Sequence, residues 1–313
     1  MNLRPLLMLA AMPLSASGAA PLECSPCHPK EAAAHAASSH AHALQPVLLS
    51  HFYRSLPERP IGEARGGFLL TYQLRDDALE VSAERGGQSA QGLIEWVFGA
   101  GRQAETPIVR RGRQYFEHRV SYYVNVGRFD LTIGHVPGVS RSAEDALGVL
   151  QTAGVIQRCF GCHSTGGLPG TKSFQPGVLC EVCHPGAERH ARGGPAPDSK
   201  RQNAKTVVNF CASCHRGQAE GSPDDPINVR YQPVRLRRSR CFQLGDISCL
   251  NCHDPHAAVR QDAAWYRSRC LMCHLDQKDR DDCLPCHMPR IALTPRLVFT
   301  DHYIRTQAPA AQR

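Results

Sequence analysis

CLNCHDPH (249–256), RCLMCH (269–274), DCLPCHMPR (282–290) and TDHYIR (300–305) place three Cys-x-x-Cys-His units and two further histidines, His256 and His302, in one short run of the chain. Cys-x-x-Cys-His is the attachment signature of c-type haem. Each thiol adds across one haem vinyl group to give a thioether, and the adjacent imidazole is then placed to ligate the iron. Seven such units occur in all, at Cys24/Cys27/His28, Cys159/Cys162/His163, Cys180/Cys183/His184, Cys211/Cys214/His215, Cys249/Cys252/His253, Cys270/Cys273/His274 and Cys283/Cys286/His287. They are numbered one to seven below. Chance would supply roughly 0.04 of them in a chain with this cysteine and histidine content. A disulfide framework or a set of zinc sites would explain paired cysteines, but neither needs a histidine after every second one.

Residues 1–20, MNLRPLLMLAAMPLSASGAA, carry one early arginine, an apolar centre and small residues at Ser17, Ala19 and Ala20. That pattern is a secretory signal peptide. No later segment approaches the length of a membrane-spanning helix, so the expected product is exported to the periplasm without a transmembrane segment. The formal charge of +8 invites a nucleic-acid reading, with Arg235, Arg237, Arg238 and Arg240 as its densest run. Haem propionates change that sum. Seven ferric haems at about −1 each bring the charge near zero, and 31 of the 36 basic residues are arginine, which suits bidentate pairing with carboxylates. The basic residues are spread along the chain with no recognisable reader motif, so no nucleic-acid partner is expected.

After the leader, residues 23–44 form an Ala-rich, helix-prone segment with the first motif and three extra histidines. Residues 66–123 have the texture of strands: GFLLTYQL, the turn Asp76-Asp77, ALEVSAE, then IEWVFGAG, then TPIVRRGRQYFEHRVSYYV joined through Gly112. SAEDALGVLQTAGVIQR (142–158) reads as one serine-capped helix that delivers the chain into Cys159. Beyond it, Gly- and Pro-rich loops join short helices. A mature chain of this length has few residues to spare per haem, so the cofactors themselves are expected to serve as core. Nine histidines lie outside the motifs: His35, His40, His42, His51, His118, His135, His190, His256 and His302. Met272 and Met288 sit within or beside motifs and are poorly placed to reach the far side of their own haems, which favours bis-histidine ligation. Cys241 is left over and reads first as an inert buried thiol, with intermolecular pairing or an unusual haem contact as the alternatives.

The runs CSPCHPKE with SSHAHAL, FGAG, HRVSYY, VIQRCFGCHST, PGVLCEVCHPGAERH, CLNCHDPH, and DCLPCHMPR followed by TDHYIR resemble periplasmic multihaem cytochromes related to the tetrahaem cytochrome c-554 superfamily. The resemblance implies that His190, His256 and His302 are distal iron ligands, with His40 at a position where relatives carry histidine or methionine. His42 and His51 stand as further distal candidates, ahead of His35, His118 and His135. Larger relatives are joined to tetratricopeptide repeats, and this chain shows no such period, which leaves a separate repeat-protein partner open. The expected fold is a mainly α and irregular multihaem cytochrome c with a small antiparallel β subdomain inserted after the first haem motif. Its expected segments are a signal peptide (1–20), an N-terminal haem-binding segment (21–60), the β subdomain (61–137), a six-haem module (138–307) and a flexible tail (308–313).

Two functions follow from this reading. One is electron transfer between periplasmic or membrane-associated redox proteins through seven covalently attached haems c and their iron. The other is reduction of a small nitrogen or sulfur compound at an open haem. The Cys-x-x-Cys-Lys site of pentahaem nitrite reductases is absent. A third role is as a haem-bearing subunit of a larger assembly.

Overall fold

Leu79, Val81 and Ala83 alternate along one strand, so all three point to the same side of a sheet, and all three are buried. Around them ten strands pair antiparallel into one curled sheet. These are β1 (Leu44–Pro46), β2 (Ile61–Gly62), β3 (Leu69–Arg75), β4 (Ala78–Arg85), β5 (Gln88–Phe98), β6 (Ala104–Arg111), β7 (Gln114–His118), β8 (Val120–Tyr123), β9 (Arg128–Leu131) and β10 (Gly148–Leu150). The computed structural model describes residues 23–63, 66–197, 203–276 and 282–306; the leader at 1–20 and the tail at 308–313 lie outside them.

The strand order is β10-β7-β6-β5-β4-β3-β2. At 11 residues β5 is long enough to take two neighbours along one edge, β4 beside its first part and β1 beside Trp96, Val97 and Phe98. β6 is shared in the same way between β7 and β8, and β8 pairs onward with β9. A bulge between Ile94 and Trp96 resets the alternation, which turns both Ile94 and Val97 into the core.

This sheet corrects the expectation of a mainly α molecule with a small β insert. Of the described residues 32% are helical and 25% are strand. Two of the ten strands come from segments outside 61–137. β1 grows from the end of the histidine-rich segment, and β10 interrupts what reads as a single helix. The interruption has a local cause. Gly148 passes so close to β7 that a Cβ there would lie 2.0 Å from the Glu117 carbonyl oxygen, and GVL (148–150) pairs with His118, Glu117 and Phe116. Helix resumes only where the Thr152 side chain accepts a hydrogen bond from the Val155 amide.

The sheet has two apolar faces. Its inner side buries Phe68, Leu70, Leu79, Val81, Ile94, Val97, Val109 and Phe116 against Phe52 and Leu147. Each such side chain contributes about 1.5–3 kcal/mol on leaving water. The other side presents Trp96, Phe98, Ile108 and Tyr115 to Ile156 and Phe160 of the helix that carries motif two. Glu105 is fully buried between the halves, accepting from the Phe52 amide at 2.7 Å and lying 3.0 Å from His51 Nδ1.

The helices are α1 (Pro29–Ala36), α2 (His51–Arg54), α3 (Ala143–Leu147), α4 (Ala153–His163), α5 (Cys180–Cys183), α6 (Ala187–Ala191), α7 (Ala204–His215), α8 (Gln232–Leu236), α9 (Arg240–Leu244), α10 (Ala263–Leu271) and α11 (Leu284–His287). Two short hairpins accompany them, β11 (Ser164–Thr165) with β12 (Gln175–Pro176) and β13 (Arg290–Thr294) with β14 (Leu297–Thr300).

Candidate haem sites

Every motif is built as one helical turn. The amide of the motif histidine donates to the carbonyl of the first cysteine at His28, His184, His253, His274 and His287, over 2.8 to 3.0 Å. In motifs two and four the same residues close α4 and α7. A helical turn puts positions i and i+3 on one face with i+4 beside them. Both thiols and the imidazole can therefore address a single porphyrin.

All sixteen histidines lie among the described residues, so each candidate can be placed. Four motif histidines face a second imidazole. Ring centres are 6.3 Å apart for His28 and His190, 6.1 Å for His215 and His40, 6.0 Å for His184 and His256, and 6.1 Å for His253 and His302. Two imidazoles that share a metal at about 2 Å from each nitrogen have ring centres about 6 Å apart. The His184 and His256 rings are parallel to within 3°.

The ring nitrogens sort the same way. His40 Nδ1 lies 3.2 Å from the Pro255 carbonyl, His190 Nδ1 3.1 Å from that of Gly194, and His302 Nδ1 3.0 Å from that of Thr300. A carbonyl only accepts, so Nδ1 carries the proton and Nε2 keeps its lone pair for a metal. His256 sets Nδ1 3.3 Å from Asp254. By contrast His35 and His42 engage Nε2 itself, with the carbonyls of Val178 and Ala36. His51 lies against Glu105, His135 against Glu117 at 3.1 Å, and His118 has both nitrogens bonded inside the sheet. None of these five stands opposite a motif histidine. His163 meets Phe98 edge-on at 5.1 Å and donates from Nδ1 to the Ala43 carbonyl, and His287 donates from Nδ1 to the Arg305 carbonyl at 2.6 Å. Among the described residues no imidazole faces His163, His274 or His287.

Burial pushes His163, His184, His215 and His253 below the ordinary 6.5, and His302 to about 4. Neutral imidazole is the form that ligates iron.

Thiols of neighbouring motifs meet. Cys24 reaches Cys180, Cys162 reaches Cys214, Cys211 reaches Cys249, and Cys270 reaches Cys283. Burial and the adjacent thiol push Cys24 and Cys162 up to about 11. Cys183 lies within electrostatic reach of Cys211 and Cys214, as does Cys252 of Cys270. No disulfide joins any of the described cysteines, and Cys241, expected to be buried, is only half-buried at α9.

In five of the seven motifs the two thiols differ in exposure. The first cysteine of every motif is half-buried, but the second is exposed in motifs one, three, four, six and seven, at Cys27, Cys183, Cys214, Cys273 and Cys286. In motifs one, three, six and seven every residue of the motif turn is half-buried or exposed. A thiol that must form a bond to a porphyrin edge has to face the porphyrin rather than other side chains, so exposure from the protein is compatible with attachment. Cys162 and Cys252 are half-buried, like the first cysteines of their motifs.

The residues fit a covalent porphyrin in a further way. α1, α5, α9, α10 and α11 bury no residue at all, whereas both apolar clusters of the fold involve the sheet. Helices with no buried face need a partner to hold them, and flat apolar macrocycles attached through the motif cysteines at α5, α10 and α11 and just before α1 would supply one. Bound there, haem would contribute reversible one-electron chemistry at iron; the chain's part is to clasp it and to fix its imidazoles.

No family model matches the chain. Over 151 residues it is 24% identical to the multiheme cytochrome MtrA of Shewanella baltica, a match covering 41% of this chain and 40% of that protein. The outer cell wall cytochrome OcwA has a similar structure, with a TM-score of 0.50 at 14% identity over 90% of this chain and 78% of that one. Together with the seven Cys-x-x-Cys-His motifs, these likenesses support a multihaem c-type cytochrome with covalently bound haem c. Neither relative is the tetrahaem carrier, so the narrower resemblance is not shown. Among the described residues no helix is long and apolar enough to cross a membrane.

Proposed function

We propose that this chain carries seven haems and passes electrons between periplasmic or membrane-associated redox proteins. The facing histidine pairs support the reading most directly. They give motifs one, three, four and five an axial imidazole from each side, His190, His256, His40 and His302 being the second ligands, and two histidine ligands keep a haem at low potential compared with methionine ligation. Thiol contacts link motifs one with three, four with five, six with seven and two with four, and the closer approaches of Cys183 to motif four and of Cys252 to motif six order them as one, three, four, five, six, seven with two branching from four. Electrons can then move between neighbouring haems without a diffusing carrier. The leader-like residues 1–20 support export. The narrower kinship with the cytochrome c-554 superfamily rests on the quoted motif runs alone.

The intact mass of the mature protein is the first test: seven haem masses are expected, and six or fewer after full maturation would refute the count. Replacing His40, His190 or His256 with alanine should each turn one low-spin haem high-spin in the optical and electron paramagnetic resonance spectra. Three unchanged spectra would remove the axial assignment.

A second reading, reduction of a small nitrogen or sulfur compound, is favoured by His163, His274 and His287, which face no other histidine among the described residues. The fully reduced protein would be offered nitrite, hydroxylamine and tetrathionate in turn. Sustained reoxidation at about 1 per second or more, the range of enzymes, would establish that activity; stoichiometric reoxidation alone would leave the carrier reading in place.

A further inference from the structure

The segment TDHYIR (300–305) touches two motifs, and one buried carboxylate holds it. Asp301 has no exposed surface and Arg235 is 4% exposed. Arg235 donates from Nε to Asp301 Oδ1 at 2.8 Å and from Nη2 to Oδ2 at 2.5 Å, a bidentate fork. Arg305 Nη2 lies 2.7 Å from the same Oδ2, and the Tyr303 amide donates to Oδ1 at 3.0 Å. The Tyr303 ring sits among the guanidinium groups of Arg235, Arg238 and Arg305. Ser239, also buried, donates to the His302 carbonyl and accepts from the Ile304 amide at 2.8 Å.

Each end of the segment acts on a different site. His302 immediately follows Asp301 and faces His253 of motif five. Arg305 pairs by its backbone with His287 of motif seven: its amide donates to the His287 carbonyl at 3.0 Å, and its carbonyl accepts from His287 Nδ1 at 2.6 Å. A hydrogen bond at Nδ1 sets the orientation and basicity of a ligating imidazole. Arg235 belongs to the basic run whose composition suggests haem counterions, and it is instead spent on an acidic partner inside the protein.

We propose that Asp301 is a positioning residue for two haem centres at once. Through Arg235 it holds His302 across from His253, and through Arg305 it holds the carbonyl that orients His287. This rests on the axial reading of His302, so the test carries a separate arm for that reading.

Holoprotein of His302→Ala, Asp301→Asn and Arg305→Leu would be compared with the parent at equal haem mass. Carbon monoxide bound per reduced protein and a redox titration would be recorded for each. His302→Ala should add one carbon monoxide equivalent; if it adds none, the axial reading fails. Asp301→Asn should also raise carbon monoxide binding and, unlike His302→Ala, shift a second haem by at least tenfold in its one-electron equilibrium, about 59 mV. Arg305→Leu leaves the buried Asp301–Arg235 pair intact and should shift only that second haem. A normal response of His302→Ala with parental binding and potentials in Asp301→Asn would overturn the proposal. Should Asp301→Asn yield no holoprotein, parental potentials in Arg305→Leu would overturn it alone.

Discussion

Replacing Arg119 with methionine is expected to lower the unfolding free energy of the holoprotein by about 3–5 kcal/mol at neutral pH, because it strands a buried charge. Chemical denaturation followed by far-ultraviolet circular dichroism is the measurement. Arg119 Nε lies 2.6 Å from Glu63 Oε1, with side-chain exposures of 10% and 6%. Its Nη2 also donates to the carbonyls of Val136 and Gly138. Glu63 accepts from the amides of Phe68 and Ser140, both at 3.1 Å, and from the Ser140 hydroxyl. The cluster ties the entry of the long central run of strands to the loop that leaves it. Burial alone would raise the Glu63 carboxyl, but hydrogen bonds from Ser140 and Phe68 and the Arg119 charge outweigh it and hold the group below its ordinary 4.5. A carboxylate depressed in the folded state contributes stability above its unfolded value and loses it as pH falls through the folded one. The gap between parent and variant should therefore narrow below pH 4.5. A loss under about 1 kcal/mol at neutral pH would place this ion pair among surface-type pairs of little worth.

The attachment residues are legible because covalent chemistry requires a fixed local spacing, and one helical turn satisfies it wherever it occurs. Their exposure is not: nothing in Cys-x-x-Cys-His tells Cys27, Cys273 and Cys286, which lie open, from Cys162 and Cys252, which neighbouring elements partly cover. The hairpin at 69–85 is legible for the same reason as the motifs, since its alternation and its Asp76-Asp77 turn are both local. What the sequence hides depends on distant partners. LQP at 44–46 becomes a strand only because β5 outruns β4 and offers it an edge. GVL at 148–150 leaves its helical surroundings because β7 needs a neighbour, and the visible sign is Gly148 in the middle of the expected helix. The partners of Arg235 and Arg237 are equally out of reach. Arg235 bonds Asp301, 66 residues away, and Arg237 donates to the Gly217 carbonyl and to Asn209. Composition registers the excess of arginine but not where each side chain ends. The facing histidines sit between these cases. His190 and His256 lie within a few residues of a motif, but each faces the histidine of a different one, His28 and His184. Their own motifs thus mark them without naming their partners.

Between pH 6.5 and about 4 the protein should lose about 3 kcal/mol of stability through His118 alone, at about 1.4 kcal/mol per pH unit of displacement. His118 is fully buried; its Nδ1 donates to the Leu147 carbonyl at 2.6 Å, and its Nε2 accepts from the Tyr72 hydroxyl at 2.7 Å. Phe52 and Tyr72 enclose the ring edge-on. No second proton has a place to go. Burial pushes the imidazole down to about 4, whereas the unfolded chain protonates near 6.5. The unfolded state therefore binds more protons throughout that interval, and stability falls as pH falls. Histidines bound to iron do not titrate there, which separates His118 from the axial set in the holoprotein. His118→Gln supplies the test, since its amide can donate to Leu147 and its oxygen can accept from Tyr72 without titrating. Denaturant midpoints measured across the interval should fall less steeply in the variant than in the parent. Equal slopes would mean that the imidazole titrates normally, and the sheet beneath motif two would then be open to water rather than the dry wall that its packing describes.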